Sequence, residues 1–291
     1  MEAIRVFETV CPVFLLAGLG WLLARVKGLE VRTLTEVVVY AGGPCLVFSS
    51  LSKGSVPLGE AGVIVSGCLF LVLGVGLVTR LVFMLSGSRP HGYYLPAMFM
   101  NAGNMLLPLC LFAFGEDGLA RGVIVFATMS VLVSSLGVFL ATGSTSAVEM
   151  FRLPYVYAAV GGLAVGWYGV EVPPLIERPV ELLAGLAIPL MLLALGARLG
   201  QGVVESLRKP LLATVSRVGG GYFCALLFVA VADVSGLTRS VLLLASVMPS
   251  AVVNFVFAEK YGNDAPEVAT TIFVSTMVSL FTTPLVLGFG I

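Results

Sequence analysis

Few side chains in this chain could do chemistry, and the ones that could are gathered where two long apolar runs are interrupted. The first interruption reads Asn101-Ala-Gly-Asn104-Met-Leu-Leu-Pro108 and the second Pro249-Ser-Ala-Val-Val-Asn254. An amide, or a carbonyl freed by proline, is costly in hydrocarbon unless it meets a partner or a water-lined cavity, so such pairs point to a ligand site inside a membrane. On a helix Asn101, Asn104 and Pro108 fall at i, i+3 and i+7 and share a face. Taken alone, that motif reads first as a kinked helix whose amides bond to its neighbours. Its recurrence at Pro249 and Asn254 favours a site. Broken helices offer unpaired N–H groups and positive dipole ends, which suit an anion.

Charged candidates are scarcer. Arg217 lies seven residues past Pro210, roughly 10 Å along a helix. From there it either snorkels to the surface or faces the site as counter-charge for a carboxylate. No Asp or Glu falls clearly at a bilayer centre, which argues against a proton or sodium antiporter built on a buried carboxylate. Glu259, at the end of the second interrupted run, is the one place left for a proton, and pairing with Lys260 or headgroups is its plainer reading. His91 is the only histidine and the five cysteines are scattered singly, so neither a metal site nor a cofactor is expected. No HExxH, GxSxG or aspartate dyad is present, which argues against an enzyme.

The elements that must position these residues are membrane helices. The chain has 291 residues, is 58% hydrophobic and 11% charged, and its mean hydropathy is +1.06, a balance unlike that of a soluble domain. With 16 basic and 16 acidic residues there is no basic field for nucleic acid. At about 20 apolar residues per crossing, ten segments are expected, near 5–25, 33–52, 60–84, 92–114, 118–142, 153–170, 175–199, 210–232, 238–260 and 266–290. Arg25, Lys27, Arg32, Arg80, Arg89, Arg152, Arg198, Arg208, Lys209, Arg217 and Lys260 fall on or near one face and Arg5, Lys53, Arg121, Arg178 and Arg239 on the other. The positive-inside rule makes the first face cytoplasmic, with both termini outside a cytoplasmic membrane.

Landmarks also recur. Gly115 and Gly262 are 147 positions apart, and Trp21 with Trp167, Pro44 with Pro189, Phe126 with Phe273 and Thr128 with Thr276 keep spacings of 145 to 148. Duplication explains five matches in one order. Five helices per half force the second copy, 144–291, to insert upside down relative to the first, 1–143. The expected fold is an all-α inverted repeat with a site near the midplane.

At these residues the chain resembles the auxin efflux carrier family, which includes plant auxin carriers and bacterial malate or malonate permeases. Asn101 followed by Pro108 matches the family's fourth helix, and Pro249, Ala251, Val253, Phe255–Ala258 and Tyr261 match its ninth. Arg152-x-Pro154, Ala184-Gly185-Leu186, Leu195-Gly196 and Arg217 also fit. The resemblance implies the fold of sodium/proton antiporters and bile-acid symporters: helices one, two, six and seven as scaffold, the other six as a moving bundle, and the broken fourth and ninth crossing at their centres. It also implies a homodimer formed through the scaffold and elevator-type alternating access. Two positions depart from the pattern: Leu106 stands where members often carry glycine, and Asn254 where the plant carriers carry proline. The expectation is a secondary transporter of a small organic anion, with Asn101, Asn104 and Asn254 bonding the substrate and Pro108 and Pro249 keeping the helices broken. A sensor or channel on the same bundle is the alternative.

Overall fold

A computed structural model of the chain describes residues 2–53, 56–90, 92–142, 154–199, 206–262 and 264–290. Arg152, His91 and the connection 143–153 lie outside the described residues. The described chain is helical, and seven of its helices are long and apolar enough to cross a membrane. Its only strand-like contact is one antiparallel pair, Met100 with Ser250.

The elements are α1 (Glu2–Lys27), α2 (Val31–Ser52), α3 (Leu58–Leu85), α4 (Tyr94–Met98), α5 (102–114), α6 (116–142), α7 (Pro154–Tyr168), α8 (Pro174–Leu199), α9 (Arg208–Val231), α10 (Gly236–Ser246), α11 (Val253–Lys260) and α12 (Ala265–Gly290). Helical hydrogen bonding runs on between α5 and α6, but Gly115 between them has φ +67°, a conformation glycine adopts without strain. The chain reverses there. A Cβ built on Gly122 would lie 3.0 Å from the Cys110 sulfur, whereas twelve residues of straight helix span about 18 Å. The stretch 102–142 is therefore a hairpin of two antiparallel helices.

Proline also sets local geometry. Pro44 and Pro108 cannot bond to the carbonyls four residues back, and both follow a wider π-turn, at Val38–Gly42 and Ala102–Leu106, a common way to absorb a lost helical bond. Pro189, paired with Pro44 in the sequence, sits instead inside a continuous α8.

Helices α1, α2, α7 and α8 pack together through small residues. A side chain on Gly20 or Gly196 would collide with the backbone of Leu193 or Ala17, and one on Gly162 would lie 2.9 Å from the Phe48 carbonyl oxygen. Close backbone approach of this kind is how helices associate where lipid offers no hydrophobic drive. The remaining helices form a second group, in which α3 meets α4 and α9, and α12 meets α9 and α11. That group is tied at one end by polar bonds. Arg121 on α6 donates to Glu60 on α3 at 2.6 and 3.0 Å and to Thr238 on α10 at 3.2 Å, and Thr238 donates to the same Glu60 oxygen at 2.9 Å.

Candidate functional site at the crossing of two broken helices

Both amide-and-proline motifs break their helices, and the breaks meet. After α4 the chain extends at Phe99 (φ −104°, ψ 111°). Asn101 N–H then donates to the Pro249 carbonyl at 2.7 Å, and Ala251 N–H donates to the Phe99 carbonyl at 3.0 Å. Two non-helical segments thus satisfy each other's backbone, as a membrane interior demands. The sequence supplies the stops and starts locally. The Asn101 side-chain oxygen accepts from Asn104 N–H at 3.1 Å, capping α5, and Pro249 brings no N–H with which to continue α10.

Asn254 locks the crossing. Its amide nitrogen donates to the Phe99 carbonyl at 2.9 Å and to the Ser250 hydroxyl at 3.0 Å, while Ser250 N–H donates to Ser275 at 3.1 Å. Its side chain is fully buried.

Arg217 lies beneath the same junction, not at the membrane surface. It is fully buried, and its guanidinium donates to the carbonyls of Ala97 (3.3 Å) and Met98 (2.9 Å) at the end of α4 and of Ser246 (3.1 Å) at the end of α10. Two helix C-termini, each a partial negative charge, converge on one cation. Gly221 leaves room for it: a Cβ there would lie 2.5 Å from both the guanidinium and the Ser246 carbonyl oxygen. Its two terminal nitrogens are committed to backbone, its Nε has no partner among the described residues, and the snorkelling alternative fails with its burial.

Beside the crossing is a cavity of about 210 Å³, far more than one water needs. One wall is the crossing with the first turns of α5 and α11. Residues of α2, α6, α7 and α8 complete the lining. Of the residues singled out in the sequence, Asn101 and Asn104 line it, whereas Pro108, Pro249, Asn254, Arg217 and Glu259 do not. Glu259 is exposed near the end of α11. The rest of the lining is mainly apolar, with Phe99, Phe126, Met129 and Met191 prominent.

Among the hydroxyls of this lining, Thr35, Ser130 and Tyr155 are bonded to the carbonyls of Val31 (2.8 Å), Phe126 (2.8 Å) and Val38 (3.4 Å). The amide nitrogen of Asn101 has no hydrogen-bond partner among the described residues. Tyr155, Met191 and Arg198 also line the cavity; nothing in their spacing marked them in the sequence, where Arg198 looked like one more basic residue at a helix end. Among the described residues no group of His, Cys, Asp or Glu could hold a metal ion.

A family model described as "Membrane transport protein" matches residues 138–287, just over half of the chain. The chain belongs to that family. The match includes the second broken motif, while Asn101 lies outside it. Two archaeal proteins are similar over nearly their full lengths. An uncharacterized transporter of Methanocaldococcus jannaschii is 26% identical over 94% of this chain and 95% of its own length. One of Methanothermobacter thermautotrophicus is 27% identical over 96% of each. This member of the membrane transport protein family is therefore a multi-pass transport protein and not an enzyme, and the family-level resemblance read from the sequence holds.

Proposed function

We propose that this protein is a secondary transporter that carries a small organic anion, a carboxylate, across the cytoplasmic membrane by alternating access. The observation that carries the reading is the unpartnered Asn101 amide nitrogen at the wall of a mainly apolar cavity. A buried donor without an acceptor is costly, and a ligand oxygen would relieve it. Asn104 lies beside it, and the N-terminal turns of α5 and α11 line the same wall, adding positive dipole ends. Selectivity of this kind needs no carboxylate at the bilayer centre.

In this reading the chain crosses the membrane ten times as a 5+5 inverted repeat, 1–143 and 144–291. Long helices α1, α2, α3, α8, α9 and α12 supply six crossings, α4 with α5 and then α6 two, α7 one, and α10 with α11 the last. Helices α1, α2, α7 and α8 act as the scaffold, and the other group moves past them as an elevator. The exposed apolar side chains Leu15, Tyr157 and Leu182 on the scaffold meet lipid or, in a homodimer, a second scaffold. The cavity lining includes Thr35, close in the chain to Arg32, and Arg198 in the last turn of α8, and the positive-inside rule favours a cytoplasmic position for that end, with both termini outside.

The test is reconstitution. Purified protein in vesicles should accumulate or exchange labelled mono- or dicarboxylates, tried as a panel. Binding without any flux would leave a sensor on the same bundle as the better account.

A further inference from the structure

The cavity has a second unmet donor. Of the polar side-chain atoms among its lining residues, two are buried without a hydrogen-bond partner among the described residues: Asn101 Nδ2 and Arg198 Nε. Both are N–H groups. A cavity whose unmet needs are all donors calls for an acceptor, and one of these donors carries a full positive charge.

Arg198 differs from the other buried or paired arginines. Arg121 is paired with Glu60, Arg32 with Glu36, and Arg217, whose Nε is also unmet but which does not line the cavity, bonds three carbonyls through its terminal nitrogens. Arg198 has no carboxylate within ion-pair distance among the described residues, and its recorded contact is the Phe255 ring, 5.7 Å away. It stands in the last turn of α8, where any cation complements the helix dipole. A residue kept only for that purpose would lift its head into water. Arg198 is instead half-buried, set between the main cavity and a second one of about 70 Å³ next to Phe255 and Ile272.

We infer that Arg198 is the charge that makes this cavity select anions, holding one end of a carboxylate whose other contact is the Asn101 amide. The inference rests on the cavity being the substrate site. The two donors come from different elements, Asn101 from the crossing and Arg198 from α8. A ligand that accepts from both spans the boundary between the two helix groups, and the aromatic and methionine lining suits a compact apolar body between them.

The test uses the full chain in detergent, with benzoate and malonate as probes and their neutral amides, benzamide and malonamide, as controls. In the wild type at least one acid should bind roughly 10- to 100-fold tighter than its amide, the range expected for a charged hydrogen-bonded pair. Arg198→Gln should bring that ratio close to one, and Arg198→Lys should keep most of it. If Arg198→Gln lowers the unliganded melting temperature, Arg198→Lys against Arg198→Met reads the same ratio. A ratio unchanged without the cation, or a wild type with no preference for either acid, overturns the inference. If wild-type vesicles move neither probe while the binding preference persists and collapses in Arg198→Gln, the transport reading falls and this one stands.

Discussion

Asn101 and Asn254 carry the same side chain and serve opposite purposes. Asn254 spends its amide nitrogen on Phe99 and Ser250 and never reaches the cavity, whereas Asn101 keeps its nitrogen free and uses only its oxygen, as a helix cap. Their alanine variants should therefore separate. Asn101→Ala should cut carboxylate uptake at least tenfold while costing about 1 kcal/mol of stability for the lost cap. Asn254→Ala should lower the melting temperature more, by the equivalent of about 2 kcal/mol, with or without ligand, because it strips two buried bonds from the crossing. Equal thermal shifts would contradict this division. Arg217→Met should be harsher, at ~3 kcal/mol or more, since three carbonyls at two helix ends lose their only shared donor; the folded yield in membranes reads it. The two asparagine motifs were legible in the sequence because an amide in an apolar run is conspicuous. Arg198 was not, since a basic residue closing a membrane helix is ordinary, and its unmet bond exists only once α8 is packed beside α11.

At the scale of elements, the breaks in the helices could be read from Asn101, Pro108 and Pro249, but not the way they are healed. The pairing of Met100 with Ser250 joins residues 150 positions apart, and no local pattern announces a contact that depends on two helices meeting. The Gly115 reversal was legible, because charged and glycine residues at 115–118 separate two apolar runs. Replacing Gly115 with alanine should destabilise the hairpin by about 1–2 kcal/mol, the cost of a side chain in the left-handed region, and a melting temperature equal to wild type would show that the turn adapts. Gly196→Leu should act elsewhere, forcing α1 away from α8, and is expected to abolish folded protein on a size-exclusion profile.

At the scale of the whole molecule, the sign asymmetry of the loops makes a direct prediction about orientation. Cysteine placed at Lys53 should react with a membrane-impermeant reagent on intact cells, and cysteine at Arg89 only after permeabilisation; the reverse pattern would invert the topology. The division into two helix groups was suggested by resemblance rather than by composition, because lipid-facing and protein-facing surfaces are both apolar and hydropathy does not distinguish them. The buried Arg217 has an electrical consequence. It belongs to the group proposed to move and has no acidic partner among the described residues, so an empty carrier shifts an uncompensated positive charge through part of the membrane field, which is worth about 2.3 kcal/mol per 100 mV for a full crossing. A bound monocarboxylate cancels that charge. Exchange, which uses only loaded steps, should then be indifferent to an imposed potassium diffusion potential, while net flux, which needs the empty return, should follow it.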